Sequence, residues 1–322
     1  MTAFTRRALL LAGAAAALPA AAQAYPSRPV RIVVPYPAGG VADAIARALG
    51  ERLSAQLGQS FVVENRAGAS GTIGVDAVAK AAPDGHVLGF SAISPLVLSP
   101  HLGKVPYDPA RDLTAVASVM YSPVLLLATP ASAARDFREL LAAAKDKPGS
   151  VRWATSGPAS LGHVMLEQLQ AAAKVEMVHV PYKGGGQQLT DALSGQFEIL
   201  STNAGPTLVE HVRTGRLRPL AVGAPRRLES LPNVPTLAEL GYPGANLSSQ
   251  FGVFAPGGLP APVLERLNAA INAALQAPEI RNRLVATDNV PTGGTAQAFG
   301  RQIAAESESN LRIIRAVGIK AD

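Results

Sequence analysis

The chain contains no cysteine. That excludes disulfides, thiolate metal centres and a lipid-bearing cysteine at an export cleavage site. Aromatic residues are 5% of the sequence and Trp153 is the single tryptophan, too few for a sugar site built on ring stacking. The five histidines, His86, His101, His163, His179 and His211, have no partners at metal-ligand spacing, so no metal site is expected and each reads as a lone core or surface residue. No run of Lys and Arg interleaves with aromatics, which argues against a nucleic-acid partner. After residue 24 no segment approaches the ~18 unbroken apolar residues of a membrane span, so a soluble protein is expected.

Enzyme motifs are also missing. Gly157–Gly162 has the Gly-x4-Gly spacing of a phosphate loop, but His163 stands where that loop needs Lys. Gly68-Ala69-Ser70-Gly71-Thr72 lacks the final glycine of a nucleophile elbow. Gly39-Gly40 lacks the third glycine of a dinucleotide fingerprint. No cofactor is expected.

What is present begins with a leader. Arg6-Arg7 precede a short apolar stretch, Ala8–Leu18, and Ala22-Gln23-Ala24 has the small-x-small form of a signal-peptidase site. Residues 1–24 therefore read as a signal peptide, with export by the general secretory or the twin-arginine route left open. The remaining 298 residues suffice for roughly two domains. Removing the leader lowers the formal charge from +6 to +4, a mild field that favours small anions.

The stretch Val30–Leu49 is the most informative. An apolar strand runs into Gly39-Gly40 and an amphipathic helix follows at once. Backbone N–H groups at the positive end of a helix dipole make a mouth for an anion, carboxylate or phosphate. Strands and helices then alternate along the chain, which predicts an α/β fold. Two apolar segments, Val124–Thr129 and Phe251–Ala255, read as crossovers between two α/β sets, with Leu113–Met120 as a separate earlier strand. Two crossovers make a hinge, and two hinged lobes make a clamshell that closes on a ligand. The expected lobes are 25–122 plus 251–322, and 123–250.

In such sheets ligands sit beyond the carboxyl ends of the strands. The loops there supply Gly39 and Gly40, Ser91 and Ser94, Ser156 and Ser160, Gly184–Gly186, and Thr202 and Asn203. Singly, each glycine is a turn former; together they favour a ligand site. Asp43 fits two roles, a structural first-turn acid paired with Arg47 or a ligand contact. Tyr36 and Tyr182 occupy corresponding loop positions and either flank a ligand or pack at the lobe edge. Lys183 reads equally as an anion attractor or a solvated surface residue.

An ordered set of motifs extends over the chain: Tyr25-Pro26-Ser27-Arg28-Pro29-Val30, Pro37-Ala38-Gly39-Gly40-Val41-Ala42-Asp43, Glu64-Asn65-Arg66-Ala67-Gly68-Ala69-Ser70-Gly71, Pro83-Asp84-Gly85, Val180-Pro181-Tyr182-Lys183-Gly184-Gly185-Gly186, Leu231-Pro232-Asn233-Val234-Pro235-Thr236, Glu239-Leu240-Gly241 and Phe254-Ala255-Pro256. In this order the chain resembles the Bug (Bordetella uptake gene) family, the substrate-binding proteins of tripartite tricarboxylate transporters. The resemblance implies a two-lobed periplasmic binding protein of type II, with Rossmann-like lobes, mainly parallel sheets and a two-strand hinge. It implies a small organic carboxylate as ligand, a di- or tricarboxylate or an aromatic acid, and membrane permease subunits as partners. Carried onto this chain, the first-lobe contacts are Tyr36, Gly39, Gly40, Val41 and Asp43, with Ser91 and Ser94 nearby. The second-lobe contacts are Ser156, Ser160, His163, Tyr182, Gly185, Thr202 and Asn203.

Three positions depart from the family pattern. Ala42 stands where Thr or Ser usually precedes the Asp, His86 replaces a Tyr, and Thr202 stands where Asp is common. Losing that Asp weakens an amino-acid ligand. The expected function is capture of a carboxylate for a permease by a monomeric, non-enzymatic protein. The rivals are a ligand-presenting partner of a membrane sensor and, more remotely, an exported hydrolase using Ser70 or Ser160.

Overall fold

The computed structural model describes residues 25–183 and 185–317. The leader read over residues 1–24 and the glycine at 184 lie outside the described residues.

The chain opens on β1 (Val30–Val34), whose alternating side chains serve two layers. Ile32 joins a core with Leu49, Leu53, Phe90, Leu267 and Ile271, while Val33 joins one with Val75, Val78, Phe254 and Phe299. A strand packed on both faces is the mark of helices covering both sides of a sheet. Helix α1 (Val41–Leu57) buries Ile45, Ala48, Leu49 and Leu53 at helical spacing and stops at Gly58, which takes the left-handed conformation and donates its N–H to the Ser54 carbonyl. Then come β2 (Phe61–Asn65), α2 (Thr72–Ala79) and β3 (Val87–Ala92). β1 pairs in parallel with both β2 and β3.

The second set is built the same way. Helix α3 (Phe137–Asp146) is capped by Asp136, whose side chain accepts from the Glu139 N–H. It is followed by β5 (Arg152–Thr155), α4 (Leu161–Ala173), β6 (Val178–Pro181), α5 (Gly185–Leu193), β7 (Ile199–Asn203), α6 (Pro206–Arg213) and β8 (Arg218–Gly223). β5 pairs in parallel with β6 and β7. Trp153 and Leu126 point into one core layer, Ala154, Leu125 and Leu127 into the other. Trp153 is fully buried.

Two strands join the sets. β4 (Leu113–Ala128) is one strand of 16 residues, where the sequence suggested two. β9 (Ser248–Pro256) returns antiparallel to it. Pro123 does not break β4, because it stands where its pairing changes. Up to Pro123 the partner is β9, and from Val124 the partners are β7 and β8. A proline at such a junction forfeits no ladder hydrogen bond. Its carbonyl accepts from Ala204 N and from Asn203 Nδ2, both at 3.3 Å. The strand order is β2-β1-β3-β9-β4-β7-β5-β6, with β8 and the short β10 (Val290–Pro291) also on β4. Helices α7 (Ala261–Gln276), α8 (Pro278–Val285) and α9 (Ala296–Val317) finish the chain. α9 packs against β4, the turn Ser94–Val97 and α4, so it touches both sets.

Candidate functional site

The strand-to-helix loops of both sets converge on one cavity of about 290 Å³. Its first-set wall is Tyr36–Ala42 with Ser70, Ala92 and Ser94. Its second-set wall holds Ser156, Ser160, Gly162, Gly185, Thr202 and Gly205. The floor is formed by the joining strands, through Val124 of β4 and Ser249 and Phe251 of β9.

Four helices begin on this wall: α1 behind Gly40, α4 behind Ser160, α5 at Gly185 and α6 behind Gly205. Gly40 and Gly205 cap their helices without any side-chain hydrogen bond. Their first-turn amides are therefore left without a competing side-chain cap. Among the described residues no Asp, Glu, Lys, Arg or His lines the cavity. Its polarity comes from helix ends and hydroxyls, a positive field made of partial charges.

Asp43 explains why the first loop is held so firmly. Gly39 has φ +87°, and its N–H donates to Asp43 Oδ2 at 3.1 Å. Asn65 Nδ2 donates to Asp43 Oδ1 at 3.0 Å and to the Tyr36 carbonyl at 3.1 Å. Arg47 pairs with the same carboxylate at 2.8 Å. Burial opposes ionisation of Asp43, but these hydrogen bonds outweigh it and hold the carboxyl below the ordinary range. Asp43 therefore braces the loop from beneath and does not line the cavity.

Ten of the fourteen sequence-derived site residues line the cavity: Tyr36, Gly39, Gly40, Val41, Ser94, Ser156, Ser160, Gly185, Thr202 and Asn203. Four do not, and each has a visible structural engagement. Asp43 is the brace just described. Ser91 is buried and donates to the Ala92 carbonyl. His163 sits in the first turn of α4, stacked on His179 with ring centroids 4.1 Å apart, and its Nδ1 accepts from Ala159 N at 3.3 Å. Tyr182 donates to Asp191 Oδ2 at 2.8 Å and packs edge-on to Phe197. Burial and that acceptor push its phenol up to about 12. Burial likewise raises Tyr36 to about 12, so both phenols stay protonated.

Asn203 has a double position. It reaches the cavity, yet its Nδ2 donates to the Ser122 and Pro123 carbonyls and its Oδ1 accepts from Ser249 Oγ at 3.3 Å. It ties β7 to both joining strands. Lys183 is exposed and off the wall. His86 packs edge-on to Tyr25 and is not part of the cavity wall. Ser160 Oγ accepts from the His163 N–H as a helix cap, and Ser70 Oγ donates to the Pro158 carbonyl.

The sequence reading missed the apolar part of the lining: Pro37, Ala38, Ala92, Val124, Leu189, Leu208 and Phe251. The available signal was that Val124 and Phe251 lie on the predicted crossovers, which must run behind any cleft between the sets. A second cavity of about 250 Å³ lies behind that floor, against α9, with Tyr121, Gln250 and Glu306 in its wall. Burial pushes the Glu306 carboxyl up to about 7, partly opposed by a hydrogen bond with Gln302. Among the described residues no group of His, Asp and Glu could hold a metal ion, and no helix is long and apolar enough to cross a membrane.

Comparison with known proteins bears on this cavity. Residues 45–319 match the model of the tripartite tricarboxylate transporter family receptor. Protein BugT of Bordetella pertussis is 38% identical, with 97% of this chain and 96% of that protein covered. The solved structure of the periplasmic binding protein BugD superposes with a TM-score of 0.87 at 29% identity, covering 92% of this chain and 99% of that one. An R. palustris protein solved with adipate gives the same TM-score at 33% identity and the same coverage. The chain belongs to the tripartite tricarboxylate transporter receptor family of periplasmic solute-binding proteins.

Proposed function

We propose that this protein captures a small organic carboxylate in the cavity between its two sets and delivers it to a membrane permease from the periplasm. The observation that carries the reading is the convergence of four helix N-termini on a cavity that no charged side chain among the described residues lines. Such a wall attracts an anion yet lets it leave, since no ion pair has to be broken. The sets act as lobes, 25–122 plus 251–322 and 123–250, hinged on β4 and β9. Gly40 and Val41 present amides to one carboxylate, while Gly39, its own N–H held by Asp43, shapes the loop that carries them. Ser156, Ser160, Gly185 and Thr202 meet the rest of the ligand from the other lobe. Asp43, Ser91, His163 and Tyr182 hold those loops in shape. Ligand touching both lobes favours the closed form, and the permease reads closure.

The adipate-bound relative supports a carboxylate as the class. Ala42 removes a hydroxyl from the first loop, so backbone amides carry more of the contact here. A melting-shift screen over aliphatic, aromatic and amino acids tests the reading. The matching acid should stabilise the fold by about 2.7 kcal/mol at a hundredfold excess over its Kd. A flat response across all of them would exclude the proposal.

A further inference from the structure

The two walls come close at the mouth of the cavity. A Cβ added at Gly205 would lie 3.5 Å from the Val41 Cβ, and one added at Gly186 would lie 3.7 Å from the Ala38 carbonyl, so each gap has room for little more than a methyl group. A hydrogen bond spans the mouth: Ser70 Oγ, from the loop between β2 and α2, donates to the Pro158 carbonyl, in the loop between β5 and α4.

The backbone on both sides of this contact is unusual. Gly68, Ala69, Ser70 and Gly71 have φ of 137°, 45°, 53° and 97°, four successive positive values of which two belong to residues with a Cβ. Across the gap, Gly157 has φ 133° and Ala159 φ 57°. Left-handed backbone is disfavoured for alanine and serine, and glycine takes it freely. The sequence nevertheless has Ser at 70, between glycines at 68 and 71. Position 157 is also closely matched to its partner. A Cβ there would run into the Ser70 hydroxyl and would lie 3.0 Å from the Tyr182 carbonyl.

We infer that Ser70 is a positioning residue that latches the two lobes together at the cleft mouth. Its hydroxyl is the reason a non-glycine residue occupies this left-handed position. The hydrogen bond exists only while the loops meet, so it stabilises the closed form and slows ligand escape. The inference rests on the carboxylate-capture reading for its purpose, though the latch itself is measurable without a ligand.

The cysteine-free chain allows clean labelling. Spin labels at cysteines introduced for the exposed Lys80 and Gln187, one on each lobe, report the interlobe distance. The distances are measured in wild type, Ser70→Ala and Ser70→Gly, each without ligand and with a fixed mixture of benzoate, adipate, malate and citrate. The latch predicts that both variants lose short-distance population relative to wild type. Losing one such hydrogen bond shifts the closed-to-open ratio by about three- to tenfold. For any acid that binds, the dissociation rate rises by a similar factor while the association rate stays put. The melting temperature separates latch from scaffold. Ser70→Gly relieves left-handed strain and should raise it by about 2–4 °C in the ligand-free protein, while Ser70→Ala should not.

Unchanged distances in both variants would overturn the inference, as would a wild type that never populates the short distance. So would a loss of affinity matched by an equal loss of thermal stability, which would make Ser70 merely structural. If the wild type closes through Ser70 but the acids change nothing, the latch stands and the carboxylate reading fails.

Discussion

Gly40→Asp separates the binding role of the first loop from its folding role, because the two respond in opposite directions. Gly40 is the N-cap of α1, with φ −81° and ψ 174°, an extended conformation that any residue adopts. A Cβ there would meet nothing nearer than the Pro37 carbonyl at 4.0 Å. A side chain therefore fits without strain, which is not so at Gly39 with its positive φ. Aspartate is among the best N-caps and complements the helix dipole, so the variant should be as stable as wild type or more stable by a few tenths to ~1 kcal/mol. For the ligand the same carboxylate is an obstruction. Two like charges about 4 Å apart repel by roughly 4 kcal/mol at an effective dielectric of 20, and the added side chain also takes up the first-turn amides. Carboxylate affinity should fall at least ~100-fold. Gly40→Asn caps without charge and should lose far less. Calorimetric titration and thermal melting of the three proteins give the answer. A Gly40→Asp protein that binds as tightly as wild type, or that melts well below it, would refute the reasoning.

Two further predictions concern titratable groups. Asp43→Asn should lower stability by about 1.5–3 kcal/mol, the range for hydrogen bonds to a charged group, and should weaken binding through the loop it braces. Because the folded state holds Asp43 below its ordinary value, its contribution is present at neutral pH and lost as pH falls through the folded value; an acid melting series in which the variant keeps the wild-type slope would contradict this. Glu306 has the opposite sign: its folded value is raised from 4.5 to about 7, so the protein should gain stability as pH drops from 7.5 to 5, by an amount on the order of 1–3 kcal/mol. Glu306→Gln should flatten that slope, and an unchanged slope would show that another group carries it.

Much of the fold was readable because local signals agreed with one another. Gly58 after an amphipathic run marked the end of α1, and Asp136 before Phe137 marked the start of α3. The continuity of β4 was not readable, since Pro123 in isolation is a strand breaker. Only the change of partner strand at that residue makes it harmless. The site was legible as loops and less so as side chains. Gly39, Gly40, Ser156 and Gly185 follow from the rule that ligands sit beyond strand ends, and they line the cavity. His163 and Tyr182 lie in the same loops, but their direction depends on His179 and Asp191, partners that chain order does not reveal. Asp43 illustrates the limit best. Its pairing with Arg47 is visible in the i,i+4 spacing, whereas the bond from Asn65 needs β2 to lie beside β1.

The central claim is that backbone amides and hydroxyls at converging helix ends recognise a carboxylate. The most direct measurement is calorimetric titration of the wild-type protein with the acid selected by the melting screen, side by side with its neutral primary amide. The account predicts saturable one-to-one binding of the acid and loss of at least ~100-fold in affinity for the amide, which removes the negative charge the helix ends attract. Equal affinity for acid and amide would contradict it.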